Sequence, residues 1–594
     1  MRRALQVMEG QGPQESSAIY DHPYDHPYFG QIFLAAMLKI SDYKYQFGNT
    51  TETPESIQQL YTAPRILMGI LAVIDTVLVY KIGEIWIGRR IGFVSSILFG
   101  VMPLTWMLKM VLLDTILLPF LLSSILLALY LSKLYKINNN KDSLAILCIL
   151  ISGITLGLAI FTKIPIITFI PLVGYLIYKN TKSLKKLGVW LIPVFAIPLI
   201  WPAYIIYIGD LENGINGILY QVERGERNFV DTVTFILLAD PALIILGLCG
   251  GIALSIIKRN FVFILWTMPY FLFIYFIGGI VKYFHFIELM PIMAIAAGFI
   301  IVTASNKISL KGKKLSGTKI SQDLIPIIMV AAISIFGLTS TLMLINTNTN
   351  EGFFELSAFI SNYVTSNTDL NESTILMGQH WVRSFSWIPM YVHDKVNFVK
   401  DVFPERYLKE PLNTDNNILM IVDSQLKRDI FDYSVQGKHL DEIRKIYHES
   451  DRAGLFVDSS SSNYDTNQYP FTNMKESRGL GLIEVRANQE NSQMAFAQTP
   501  DTSNNNPDSN LTTPEIPMPN VTDPNLKVEI VASDLQYPTT MAFVGKDDIL
   551  VLEKMNGTIK RIVNGNLLDK PVLDVSVANK VERGLLGIDV ANQT

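Results

Sequence analysis

From residue 64 to residue 345 the chain alternates long apolar runs with short polar breaks, and after 345 the pattern changes. A helix crossing a bilayer needs about 20 mostly apolar residues. Ten runs approach that length: 64–82, 91–109, 115–133, 144–162, 164–178, 188–208, 233–256, 261–277, 284–303 and 323–345. The fifth is short and joins the fourth through Lys163, which predicts a tilted or re-entrant piece. Past 345 the sequence reads as water-soluble. ILMIVDS (418–424) predicts a buried strand and LDEIRKIYHES (440–450) an amphipathic helix, so residues 346–485 are expected to form a mixed α/β domain. The aromatic stretch HWVRSFSWIPMYVHD, from His380, is expected to pack inside that domain or to line an acceptor groove. Residues 486–525 are rich in Asn, Pro, Ser, Thr and Asp and predict a flexible linker. Residues 526–594 return to short strands (VEIVA, MAFV, ILVLEK, TIKRIV, PVLDV) with Asn556-Gly557 and Asn564-Gly565 as hairpin signals. That is about the content of one propeller blade, which cannot close a ring by itself. The expected fold is therefore an α-helical polytopic membrane bundle over 1–345, an external α/β domain and a truncated β-propeller-like segment.

The polar breaks sort by charge. Lys81, Arg89 and Arg90, then Lys133, Lys136 and Lys141, then Lys179, Lys182, Lys185 and Lys186, then Lys258 and Arg259, then Lys307, Lys311, Lys313, Lys314 and Lys319 fill every second break. Positive charge marks cytoplasmic loops. The other side then carries Tyr20–Gln31, Asp114, Lys163, the loop 209–232, Lys282 and everything after 345. This describes a multi-pass plasma-membrane protein with an extracytoplasmic C-terminal region.

Composition agrees: 49% hydrophobic residues, 17% charged and a mean hydropathy of +0.30 suit a membrane protein. A net charge of -4 gives no reason to expect nucleic acid. The only cysteines, Cys148 and Cys249, lie in apolar runs and are expected to be buried thiols, with neither zinc nor disulfides implied. Residues 1–19 hold no apolar run of signal-peptide length, and the expectation is of a start, or a first helix, upstream of this sequence.

Chemistry concentrates in two breaks on the external side. YDHPYDHPYFGQ (20–31) is acidic and His-bearing, and Asp114 interrupts MVLLDTILL. Carboxylates meeting at one membrane face can take a proton from a hydroxyl or hold a divalent cation. Taken singly, Asp25 and Asp114 read more readily as solvated loop residues or helix caps.

Several stretches in order resemble the polyprenyl-phosphate-sugar glycosyltransferases of the GT-C class, nearest the protein O-mannosyltransferases and the lipid A aminoarabinose transferases. ALQVMEGQG with DHPYFGQ is similar to their first external loop, and TAPRILMGILAVIDTVLVYKIGEIWIGRRIGFVSSIL to the next helical hairpin. KMVLLDTILLPFLL resembles the segment with their second external aspartate, and GLAIFTKIPIITFIP the helix with a lysine near the external face. The resemblance spans roughly residues 4–345. It implies sugar transfer from a polyprenyl phosphate to a hydroxyl of a protein or lipid acceptor, with inversion, and with Mg or Mn as the expected cation. By position it implies Asp25 and His26 as an acid–base pair, Asp114 as a catalytic or metal-binding carboxylate, and Lys163 as a phosphate contact. Arg224, Lys282 and His285 are further candidates for the phosphate, each also readable as a loop or interfacial residue. The family's opening acidic dyad would fall before Arg2. LQYPTTMAFVGKDDILVLEKMNGTIKRIVNG and PVLDVSV…ERGLLGIDV resemble the start of quinone-dependent glucose/sorbosone dehydrogenase propellers, but no quinone site is assignable within 526–594. The alternatives are a non-catalytic anchor displaying an external sugar-binding or propeller domain, a part of a membrane-bound sugar dehydrogenase, or a transporter. The last requires ionisable residues deep in the spans, for which Asp75 and Asp240 are the candidates.

Overall fold

The computed structural model describes residues 1–13, 24–43, 53–137, 142–223, 229–277, 283–316, 324–345, 351–366, 374–377, 399–402, 418–431, 438–458, 481–487, 531–532, 535, 538–554, 557–568, 570–575 and 587–588. It divides into two compact units, Met1–Pro500 and Asp501–Thr594.

The first unit begins with two short helices, α1 (Arg2–Met8) and α2 (Phe29–Ile40). The long α3 (Pro54–Trp86) follows, opened by a reciprocal cap between Thr53 and Ser56 with Pro54 at its first position. Next come α4 (Arg89–Val101), a 3₁₀ turn (Pro103–Lys109), α5 (Leu113–Ile137) and α6 (Asp142–Ile160). A second 3₁₀ turn (Ile164–Phe169) leads into α7 (Ile170–Thr181), then α8 (Leu184–Ala196), α9 (Ile200–Tyr207), α10 (Leu211–Glu223) and α11 (Phe229–Ala239). The bundle ends with α12 (Pro241–Lys258), α13 (Val262–Phe276), a third 3₁₀ turn (Tyr283–Leu289), α14 (Met290–Ser316) and α15 (Leu324–Ile345).

Among the described residues seven helical spans are long and apolar enough to cross a membrane, and shorter apolar helices lie at 29–40, 262–276 and 327–342. Two of the expected spans are broken, and a third bends within one candidate span, Leu184–Tyr207. The run 91–109 is helical only to Val101, and the remainder is the turn that opens at Pro103. The run 233–256 divides at Asp240-Pro241, where proline has no N–H to continue a helix and Asp240 caps the new one through the Leu243 amide at 3.0 Å. Asp240 also accepts from the Leu104 amide at 3.4 Å, so the second transporter candidate is a structural cap. The run 188–208 bends between α8 and α9 near Pro193 and Pro198. Asp75 is fully enclosed on α3, and its carboxyl receives no hydrogen bond among the described residues.

Apart from α14, the spans show one face to the bundle and one outward. On α3, Met68, Leu71, Val79 and Ile82 are buried while Ile66, Ile70, Val73 and Val77 are exposed. Rows of exposed aliphatic side chains at helical spacing are what lipid tails would cover. Cys148 is buried as expected, but Cys249 is exposed, because it falls on the outward face of α12. The most enclosed span is that of α14. It packs on α12 where Gly250 faces the Ala296 carbonyl, 2.0 Å from where a Cβ would sit. Small residues let helices approach this closely when dispersion, not water, must hold them together.

On this bundle sits α16 (Glu351–Ser366), whose Phe354 and Ala358 pack with Leu60, Tyr61 and Met68 of α3. Its opposite side, through Phe353, Leu356, Ile360 and Tyr363, covers a five-stranded sheet. The strands are β1 (Thr374–Met377), β2 (Val399–Val402), β3 (Ile418–Val422), β4 (Asp451–Asp458) and β5 (Gly481–Ala487), in the order β2-β1-β3-β5-β4. The pairs β2-β1 and β1-β3 are parallel and the others antiparallel. The other face carries α17 (Ser424–Phe431) and α18 (Lys438–Glu449), with Met420 and Val422 packed on Leu426, Ile430 and Ile443. The strand at 418–424 and the helix at 440–450 are therefore seen, whereas the aromatic stretch from His380 lies outside the described residues, as does most of 486–525.

The second unit is an antiparallel sheet of β6 (Pro538–Gly545), β7 (Asp548–Glu553), β8 (Thr558–Val563), β9 (Asn566–Leu567) and β10 (Leu573–Asp574). Its order is β10-β8-β7-β6, with β9 also on β8. The Asn564-Gly565 turn has φ of 49° and 78° at its two residues, the doubly left-handed geometry of a two-residue hairpin.

Candidate active site

The site forms where three chain reversals meet at one end of the bundle. Asp114 is the second residue of α5, in a first turn whose amides favour a negative charge. Lys163 follows the end of α6 in extended conformation, before Pro165 starts the 3₁₀ turn. Its Nζ lies 2.5 Å from Asp114 Oδ1, and the two side chains are 7% and 3% exposed. The third reversal, Tyr283–Leu289, brings Phe284, His285 and Glu288. The Phe284 ring centroid is 5.3 Å from Lys163 Nζ, so the ammonium lies between a carboxylate and an aromatic ring. His285 acts electrostatically on Asp114. The turn is fixed from α13 by two hydrogen bonds: Trp266 Nε1 donates to the Glu288 carbonyl at 2.9 Å, and the Tyr270 hydroxyl donates to the His285 carbonyl at 2.8 Å.

The acidic loop adjoins this cluster. Its rings are its anchors: Tyr24 and Tyr28 bury against Phe161, Trp201 and Ile205. Tyr28 meets Tyr204 edge-on at 5.5 Å, and the Phe29 amide donates to the Phe161 carbonyl at 3.2 Å. Gly30 then fits between Leu113 and Thr162, the immediate neighbours of Asp114 and Lys163; a Cβ there would lie 2.6 Å and 2.8 Å from their side chains. The Asp25 carboxylate is paired with Arg3 at 2.6 Å, and His26 Nε2 is 3.8 Å from its other oxygen. On the outer side, Gly217 of α10 rests on the Tyr24–Asp25 backbone, and Asp210 is bonded to the Tyr24 hydroxyl.

Of the residues singled out in the sequence, the structure thus joins Asp114, Lys163 and His285 in one cluster and places Asp25 and His26 together in the adjoining loop. Arg224 and Lys282 lie outside the described residues. Glu288 was missed. Its signal was a carboxylate inside the apolar run FHFIELMPIMA.

Opposite the site, Lys186 bonds the Tyr135 hydroxyl and Asp142, both at 2.7 Å, and Asn180 donates to the Ala128 carbonyl. The expected divalent cation does not fit the residues present at Asp114. Hard cations need several converging oxygens, whereas Asp114 has an ammonium against it, and no group of three His, Cys, Asp or Glu occurs among the described residues.

The model of the dolichyl-phosphate-mannose-protein mannosyltransferase family matches residues 57–206. No curated protein matches the chain. Among solved structures, the archaeal oligosaccharyltransferase AglB of Archaeoglobus fulgidus, in complex with an inhibitory peptide and a dolichol-phosphate, is similar at 12% identity and a TM-score of 0.47, over 75% of this chain and 67% of that one. The A. fulgidus enzyme tethered to an acceptor peptide is similar at 12% identity and a TM-score of 0.42, over 65% of this chain, which spans 58% of its length. ArnT of Cupriavidus metallidurans, bound to undecaprenyl phosphate, is similar at 12% identity and a TM-score of 0.42, over 70% of this chain and 86% of that one. None of these matches is to a propeller. The stretch that the mannosyltransferase family model matches, 57–206, contains both Asp114 and Lys163.

Proposed function

We propose that the protein transfers a hexose or pentose from a polyprenyl phosphate to a hydroxyl group of a protein or lipid acceptor, with inversion, at the extracytoplasmic face of the plasma membrane. The observation that carries this reading is the Asp114–Lys163 pair: both residues lie within the matched stretch, 49 positions apart, and they meet in a buried contact at the mouth of the bundle.

The leaving group of such a donor is already a phosphate, so the departing charge needs a cation more than a proton. Lys163 supplies that cation on a site of low dielectric, with His285 alongside. When the donor phosphate engages Lys163, one oxygen of Asp114 is released. That oxygen accepts the proton of the incoming hydroxyl as its oxygen attacks the anomeric carbon, and the bond from that carbon to the phosphate oxygen breaks in the same displacement. Asp25 and His26 border the acceptor's approach.

The test uses purified protein in lipid nanodiscs and a mixture of polyprenyl-phosphate hexoses, with release of polyprenyl phosphate followed with and without Mg²⁺ or Mn²⁺. Turnover is expected in the wild-type chain and is expected to fall on the order of a thousandfold in Asp114→Asn. A chain that neither turns over nor binds any donor would be an anchor for its external domains, and the transferase reading would be abandoned.

A further inference from the structure

Glu288 is fully enclosed, and its carboxyl oxygens lack a well-formed hydrogen bond among the described residues, the nearby Tyr270 hydroxyl being bonded to the His285 carbonyl. Yet it lies within hydrogen-bonding reach of Asp114. Two carboxylates cannot donate to each other, and two buried negative charges facing one ammonium would leave one charge unbalanced. One proton between the acids resolves both problems, giving Asp114 as carboxylate, Lys163 as ammonium, Glu288 as neutral acid and a net charge of zero. Lys163 already bonds Asp114, so the proton belongs on Glu288, whose ionisable neighbours among the described residues are Asp114, Lys163 and the hydroxyl of Tyr270, with His285 acting on Asp114. The 103–109 turn and α11 also pack on this segment; their ionisable side chains Lys109 and Asp231 lie outside those described.

We propose that Glu288 is a positioning residue for Asp114: as a neutral acid it donates a hydrogen bond to the Asp114 carboxylate and holds it in place when Lys163 turns to the donor phosphate. Without that donor, phosphate binding would strip Asp114 of its hydrogen-bonded partner inside the bundle. The inference rests on the transferase reading for its purpose, but the shared proton stands apart from it.

Two measurements test it. Infrared difference spectra between the wild-type protein and Glu288→Gln, in nanodiscs without donor, are expected to show a protonated carboxylic-acid C=O band in the wild type that the variant lacks. Kinetically, Glu288→Gln, which keeps an N–H donor, is expected to retain kcat within about fivefold, whereas Glu288→Leu loses about a hundredfold in kcat with KM for donor little changed, the scale of a misplaced catalytic group. No such band, a Gln variant as impaired as the Leu variant, or a Leu variant with wild-type kcat would each overturn the proposal. If Glu288→Leu does not fold, the infrared pair and Glu288→Gln decide. A wild-type protein with the band but without turnover would sink only the transferase reading.

Discussion

At the scale of single residues, the site is expensive to build and informative to break. A buried ion pair gains little over an apolar substitute, but removing one partner strands the other charge at a cost of about 3–5 kcal/mol. Lys163→Met alone should therefore lower the unfolding temperature in detergent sharply, and Asp114→Leu combined with Lys163→Met should recover most of that loss while abolishing turnover. Equal destabilisation by the single and double variants would mean that the pair holds the fold and not the chemistry. A second residue-scale prediction concerns the α/β domain. Burial pushes the Glu484 carboxyl up, but hydrogen bonds from Lys427 and the Tyr447 hydroxyl outweigh it and hold the group below the usual carboxylate range. A depressed folded-state value stabilises the fold above the ordinary carboxylate range near pH 4 and ceases to do so as pH falls through the depressed value. Chemical unfolding of this domain should thus become easier from about pH 5 downward, and Glu484→Gln should flatten that slope. An unchanged slope would remove Glu484 as its source.

At the scale of elements, much was legible and the failures have physical causes. Hydrophobic period and length gave the helices, since a span's outward face must be apolar and its length is set by the bilayer. They did not give the breaks, because a run of apolar residues stays apolar through a bend. The Asp240-Pro241 division was nonetheless readable as a cap followed by proline, and the burial of Cys249 was misjudged because a membrane helix is apolar on both faces. Asp114 and Lys163 stood out individually, but their meeting depends on how α5 and α6 pack side by side, joined by Ser124 and Ser152, which no local pattern encodes. Two glycines show how packing fixes the site. Gly250→Leu drives a side chain into the Ala296 carbonyl and should destabilise the bundle by about 1–3 kcal/mol, read as a lowered unfolding temperature. Gly30→Val drives a Cβ against the side chains of Leu113 and Thr162 and should lower kcat, because those residues adjoin Asp114 and Lys163. A Gly30→Val protein with normal kcat would detach the acidic loop from the site.

At the scale of the whole molecule, the sorting of loops to two ends was written in the lysines and arginines, because translocated loops are poor in them. Among the described contacts, those of Tyr24, Gly30, Asp114, Lys163 and Asp210 gather at one end of the bundle and those of Tyr135, Asp142 and Lys186 away from it. Which end faces outward follows from charge alone and can be measured directly. In a chain with Cys148→Ala and Cys249→Ala, a single cysteine is placed at Glu212→Cys, exposed on α10 beside the site, or at Lys185→Cys, exposed at the opposite end. A membrane-impermeant maleimide applied to intact cells should label the first, and should label the second only after permeabilisation. The reverse result would put the Asp114–Lys163 cluster on the cytoplasmic side. A donor whose sugar faces outward would then be out of reach, and the acceptor would have to be sought among cytoplasmic hydroxyl groups.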